Sequence, residues 1–169
     1  MFENVRIMKT HFCIVIALCF GLLRLSAQVQ VLYFVAPTCP ICKFYTLEMK
    51  AIAKDYSDSD IEFKALAVGP LLTDSTVRAF REEYSIPFSV ERDDSLHRIL
   101  NATVTPEVFV LNNKSVIYHG RIDDSFVRLG KRRAHVKNRE LRHTLDYLFA
   151  NGPPVTVAHV PAIGCIIEK

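Results

Sequence analysis

The sequence predicts an α/β protein with a central mixed sheet of four or five strands and helices on both faces. Three observations carry that expectation. Val29–Val35 (VQVLYFV) is an almost wholly apolar, β-branched and aromatic run of the kind found in a strand buried on both faces. After a short break at Ala36-Pro37-Thr38 it leads into a stretch at helical spacing that begins Cys39-Pro40-Ile41-Cys42. Later, two further strand-like runs, Glu107–Asn112 and Ser115–Gly120, face each other across a tight turn at Asn112-Asn113-Lys114, as the arms of a hairpin do.

Each element follows in order. From Pro40 to about Tyr56 the apolar residues Ile41, Phe44, Tyr45, Leu47, Met49, Ile52, Ala53 and Tyr56 recur near helical spacing. Pro40 suits the first turn, where its missing N–H would be unpaired anyway. Ile61–Val68 alternates and then turns wholly apolar, a second strand. Thr73 or Asp74 can cap a helix reaching about Tyr84. Phe88–Val90 is a short extended piece and Ser95–Leu100 a brief helix. After the hairpin, residues 128–137 are polar and basic. Asn138–Phe149 regains helical spacing through Leu141, Leu145 and Leu148, and Gly152-Pro153-Pro154 stops it. Strand, helix, strand, helix, hairpin, helix, with a right-handed first crossover, is the order of a thioredoxin fold.

The first 27 residues have another character. Lys9 and His11 precede an apolar run from Phe12 to Leu23, and Leu25-Ser26-Ala27 offers a cleavage site, the layout of a secretory signal peptide whose start could also be Met8. The run is short for a bilayer span. An uncleaved membrane anchor is the alternative. Lipid attachment at Cys19 does not fit, because that cysteine sits inside the apolar run. The organisation expected is therefore signal 1–27, a thioredoxin-like domain 28–150 and an apolar C-terminal tail 151–169. The whole 169-residue chain carries a net charge of +3, and removal of the signal leaves it near neutral, which excludes any argument for nucleic-acid or membrane partners from global charge. Export would also remove Cys13 and Cys19, leaving Cys39, Cys42 and Cys165 in a compartment where disulfides persist.

Two cysteines three positions apart at a helix start can close a disulfide, and the first sulfur meets the positive end of the helix dipole, which favours the attacking thiolate. The second, one turn in, is shielded and resolves a mixed disulfide by attacking Cys39. Ile41 between them supplies no charge. Structural zinc would need a second ligand pair, and His97, His119, His135, His143 and His159 are scattered, so no metal and no cofactor is expected. A purely structural Cys39–Cys42 bridge would stabilise little, because its loop is so short. Val104-Thr105-Pro106 stands just before the strand Glu107–Asn112. In a thioredoxin fold a proline at this place is cis and faces the cysteines, and its neighbour, here Thr105, offers backbone groups to an extended peptide; an ordinary proline at a strand start is the alternative.

The segments APTCPICKFYTLEMKAI, TPEVFVL, YHGRIDD and PAIGCII, in that order, resemble the redoxin branch of the thioredoxin superfamily, related to peroxiredoxins and thiol–disulfide oxidoreductases. The resemblance covers nearly all of the chain after residue 27. It implies a thioredoxin fold and a thiol–disulfide oxidoreductase, with Cys39 as nucleophile, Cys42 as resolver and Pro106 as cis-proline. Thr105, Pro40 and Ile41 are the implied substrate contacts. Protein thiols or disulfides and a redox partner are the implied partners. Thr38 stands where thioredoxin has tryptophan, and proline follows the first cysteine as in glutaredoxins. Ala36 occupies the place of the peroxide-holding Thr or Ser of peroxiredoxins. Peroxide reduction through Cys39 is one alternative. Copper handling of the Sco type is another, although Sco proteins usually space their cysteines by three residues, and His119 would have to serve as third ligand.

Three smaller features complete the expectation. Cys165, in an apolar setting, is either a third redox thiol reached when the tail folds back or a buried small hydrophobe. Arg121 either approaches Cys39 or pairs with Asp123 or Asp124. The run 128–142 carries seven Lys or Arg against Glu140 alone and reads as a solvated loop or as a dock for an acidic partner or anionic lipid. It interleaves no aromatic residues, so nucleic acid is not expected.

Overall fold

The computed structural model describes residues 29–154 and 158–168. The predicted signal, with Cys13 and Cys19, lies outside the described residues. Ten strands and four helices follow one another among the described residues. Strand β1 is Val29–Val35, helix α1 Pro40–Asp55, β2 Ile61–Ala67, α2 Asp74–Glu83, β3 Ser89–Arg92 and α3 Leu96–Ile99. Then come β4 Val104–Thr105, β5 Glu107–Asn112, β6 Ser115–Gly120, β7 Phe126–Arg128, β8 Lys131–Arg132, α4 Glu140–Asn151, β9 Ala158–Val160 and β10 Cys165–Ile166.

The main sheet has six strands in the order β3-β2-β1-β5-β6-β9, not the four or five expected. Strands β1, β2 and β3 run parallel, β5 lies antiparallel to β1, β6 to β5, and β9 joins β6 in parallel. The edges carry the difference. Strand β3 (SVER) corresponds in part to the extended piece read at Phe88–Val90, and β9 falls inside the segment expected to be a separate tail. Residues 151–169 are thus not an appendage: β9 closes one edge of the sheet, and β10 pairs with β4.

Right-handed crossovers between neighbouring parallel strands put successive helices on one face. Accordingly α1, α2 and α4 supply Ile41, Tyr45, Met49, Ile52, Val77, Phe80, Leu141, Leu145 and Leu148 to one core with Val31, Tyr33, Val35, Val108 and Val110. Among the described residues the opposite face, Leu32, Phe34, Leu66, Phe109 and Leu111, is covered by the one-turn α3, through Leu96 and Leu100, and by Ile167. Helices therefore lie on both faces, three against one.

Local chemistry sets the boundaries. Thr73 and Thr76 close a capping box at the start of α2. The Asp93 carboxylate accepts the N–H groups of Leu96 and His97, each at 2.8 Å, and so starts α3. Asn113 and Lys114 both have positive φ, the two-residue turn whose twist matches a hairpin. Residues 128–137 are not only loop: β7 and β8 form a small hairpin around Gly130. No helix among the described residues is long and apolar enough to cross a membrane.

Candidate functional site: three cysteines around the Thr105–Pro106 turn

Strand β1 delivers the chain to the amino end of α1. Cys39 is the N-cap residue in an extended conformation, Pro40 opens the helix, and the Cys39 N–H donates to Ala36 O at 2.9 Å. Cys42 stands one turn in. The Ala36 N–H donates to its sulfur at 3.4 Å, and the Tyr33 hydroxyl donates to its carbonyl at 3.1 Å. The Thr105–Pro106 bond is cis, and the Thr105 carbonyl lies 3.4 Å from the Cys39 sulfur. Thr105, Pro106, Cys39, Ile41 and Cys42 are all buried, while Thr38 and Pro40 are exposed.

The disulfide joins Cys39 to Cys165, not to Cys42. The two residues are 126 apart in sequence and 6.2 Å apart at Cα. This departs from the expected Cys39–Cys42 pair and settles the placement of Cys165: the tail returns to the helix start, where β10 sets Cys165 opposite Thr105. Cys42 is a free, fully buried thiol. Burial pushes it up to about 11, against smaller opposing effects of hydrogen bonds from Ala36 and Thr105. In this bonded state the Cys39 side chain makes no hydrogen bond to the first turn of α1.

An apolar cleft of about 420 Å³ opens beside the disulfide, lined by Pro40, Ile41, Phe44, Phe126, Leu129 and Cys165 among others. The Arg132 guanidinium lies 4.3 Å from the centre of the Phe44 ring at its rim. The cleft walls come from α1 and the β7–β8 hairpin, an element that polar composition hid from sequence reasoning.

The remaining candidates fall elsewhere. Arg121 does not pair with Asp123 or Asp124; its Nε donates to Glu140 Oε1 at 2.9 Å. Asp123 accepts from the Tyr45 hydroxyl at 2.6 Å and from Ser125 N–H at 2.8 Å. Asp124 accepts from Lys137 N–H at 2.8 Å and pairs with Arg133 at 3.2 Å. Both carboxylates are buried, so the RIDD segment is a structural brace under the site. Arg139 and Arg142 pair with Glu48, and Arg142 also with Asp55, so much of the basic run is turned to internal bracing. His119 stacks on Phe109, on the sheet face opposite the cysteine core, which separates it from Cys39 and Cys42 as a shared metal ligand set. It groups instead with Glu107 and His159. The two imidazole planes there lie only 9° from parallel, so their in-plane lone pairs do not converge on one ion.

A mixed sheet entered by β1, a C-x-x-C at the start of the next helix and a cis X-Pro facing it define a thioredoxin-fold protein. No protein-family model and no curated protein matches the chain. Among solved structures, an uncharacterized conserved protein from Geobacillus kaustophilus superposes with a TM-score of 0.73 at 26% identity, covering 85% of this chain and 78% of that one. A thioredoxin-like protein from Aeropyrum pernix gives 0.51 at 22% identity over 57% of this chain and 71% of that one. A candidate thiol:disulfide interchange protein DsbE from Chlorobium tepidum gives 0.50 at 18% identity, over 56% and 67%. The last two likenesses speak for the fold.

Proposed function

We propose that this chain is an exported thiol–disulfide oxidoreductase that exchanges disulfides with protein substrates through Cys39. The observation that carries this reading is the meeting of three sulfurs at one helix start. Cys39 is bonded to Cys165, and Cys42 sits at the i+3 position of the same helix end, where side chains are neighbours. A cysteine so placed can hand its bond from one sulfur to another. The naming of one fold neighbour as a thiol:disulfide interchange protein agrees with this chemistry. Export rests on the N-terminal pattern alone.

In the reducing direction, the Cys39 thiolate attacks a substrate disulfide, one substrate sulfur leaves as thiolate, and a mixed disulfide forms. Cys42, once deprotonated, attacks the Cys39 sulfur, forms Cys39–Cys42 and releases the second substrate thiolate. A redox partner then reduces the pair. Electrons travel as thiolates, so no organic cofactor or metal is needed. The Thr105 backbone lies beside the reacting sulfur, where an extended peptide can pair with it, and Pro40 and Ile41 form part of the adjacent apolar cleft.

The test is reduction of insulin disulfides by the purified protein and its Cys39→Ser variant with dithiothreitol as donor. The protein is expected to accelerate insulin precipitation and the variant to match the donor alone. Equal rates for both would remove the proposal. Cys42→Ser/Cys165→Ser, which lacks both sulfurs able to attack Cys39, should trap a Cys39–substrate mixed disulfide visible by non-reducing electrophoresis.

A further inference from the structure

The C-terminal strand is held in an unusual way. Strand β10 lies antiparallel to β4 with Cys165 opposite Thr105 and Ile166 opposite Val104, and the Ile167 N–H donates to Thr103 O at 3.0 Å. Gly164 is packed so closely against the turn that a Cβ there would fall 3.0 Å from the Pro106 nitrogen and closer still to the Thr105 carbonyl. Yet the segment is only partly covered: Cys165 is half-buried, while Ile166 is 82% exposed and Glu168 beyond it is exposed too. A two-residue ladder, one further backbone hydrogen bond and one sulfur–sulfur bond hold the segment, with Ile163, Cys165 and Ile167 partly buried against the two cores. The slot is fitted to a backbone and a cysteine.

We propose that residues 163–167 are a built-in stand-in for the substrate: an extended polypeptide whose cysteine is preceded by glycine, lying antiparallel to Val104–Thr105. This deepens the oxidoreductase reading and rests on it. The Cys39–Cys165 bond is then an internal mixed disulfide, and the polypeptide slot is closed while it lasts. The slot opens by exchange within the chain. Deprotonated Cys42 attacks the Cys39 sulfur, the Cys39–Cys42 bond forms as Cys39–Cys165 breaks, and Cys165 leaves as a thiolate that takes a proton from water. One bond forms and one breaks, with no net oxidation. With its covalent hold lost, the segment keeps a short ladder and the partial burial of Ile163 and Ile167, and an incoming strand that offers the same contacts can replace it. Gly164 also sets a preference: a side chain on the residue before the substrate cysteine has to displace the Thr105 carbonyl, so a glycine there is accepted fastest and substrates without it, insulin among them, react more slowly.

Two measurements test this in the full-length protein. The first compares insulin reduction by protein isolated oxidised, with limiting reductant, against Cys165→Ser. A tethered competitor acts at an effective concentration in the millimolar range, so the variant should be faster by about tenfold at about 0.1 mM insulin, and excess dithiothreitol should erase the difference. If both proteins turn over above the Cys39→Ser baseline at equal rates, the stand-in is overturned while the oxidoreductase reading survives. If neither exceeds that baseline, the oxidoreductase reading itself fails. The second uses the Cys42→Ser/Cys165→Ser protein and the peptide PAIGCIIE, its cysteine activated as the thionitrobenzoate disulfide, with mass spectrometry to follow the Cys39–peptide adduct. The adduct should form roughly tenfold or more faster than with the Gly→Val peptide, the effect of one backbone collision on a bimolecular fit. Equal rates for the two peptides would overturn the stand-in independently of any turnover.

Discussion

At the residue scale the chemistry turns on how two nearby sulfurs differ. Cys39 caps a helix and is bonded; Cys42 is buried, and its thiol is pushed up to about 11 by that burial. At neutral pH only about one Cys42 in ten thousand is then a thiolate, and the thiolate is the attacking form. Release of Cys165 should therefore accelerate about tenfold per pH unit from near pH 7 to near pH 10 and level off above the Cys42 value. Acid-quenched peptide mapping of the oxidised protein checks this; a rate independent of pH would show that Cys42 is not the attacker. The same burial links to stability. The folded value lies above the unfolded one, so the contribution is intact below about pH 9 and is lost as pH rises toward 11. Cys42→Ala should flatten the denaturation midpoint between those limits. Gly164→Ala tests the close approach: the fold should persist while the Cys39–Cys165 disulfide fails to form, read by thiol counting on the unfolded protein. Cys39, Cys42, Thr105 and Pro106 were legible in the sequence because spacing and strand position mark them. The tail's return to the pair was legible only as one of two readings of Cys165, and its bond to Cys39 was not, since a bond across 126 residues leaves no local trace.

At the element scale, the segment between β6 and β7 positions the cleft. Asp123 ties it to Tyr45 of α1, and Asp124 ties it to Lys137, Asn138 and Arg133. Burial pushes the Asp124 carboxyl up, but the N–H groups of Lys137 and Asn138 and the charge of Arg133 together outweigh it and hold the group below its ordinary value. Its contribution is thus present above the usual carboxylate value near 3.8 and is lost as pH falls through the lowered one. Asp124→Ala leaves these donors unpaired and should cost about 1–3 kcal/mol in urea denaturation at pH 7, with the gap to the unsubstituted protein narrowing in acid. A gap that stays constant down to pH 2 would assign the loss to packing instead. Sequence reasoning found α1, α2, α4, β1, β2 and the β5–β6 hairpin, where periodicity extends over six residues or more. It read β3 in part, as the extended piece Phe88–Val90, and missed β9, whose partner is far away in sequence, and the β7–β8 hairpin, whose two- and three-residue strands are too short and polar to show alternation. It also sent Arg121 to the wrong acid, for the turn that separates it from Asp124 brings Glu140 of α4 beside it.

At the scale of the whole molecule, the fold and the unfolded chain favour opposite disulfides. Cys39–Cys165 closes a loop spanning nearly all of the described chain, whereas Cys39–Cys42 closes a single helical turn. In the unfolded chain the entropy of loop closure grows with the logarithm of loop length, so the short loop is favoured by roughly a hundredfold. In the native structure that preference disappears, because β9 on β6 and β10 on β4 already bring Cys165 to the helix start. By the same loop argument the long bond should raise stability over Cys165→Ser by up to about 5 kcal/mol, an upper value because the unfolded chain retains structure. Unfolding should consequently drive an isomerisation that needs no oxidant. Protein oxidised as Cys39–Cys165, held in concentrated guanidinium at alkaline pH and then acid-quenched and mapped, should carry mostly Cys39–Cys42. Removing the denaturant before the quench should restore Cys39–Cys165. If the long bond stayed in the majority without a fold to hold it, the position of Cys165 could not be ascribed to the two C-terminal strands.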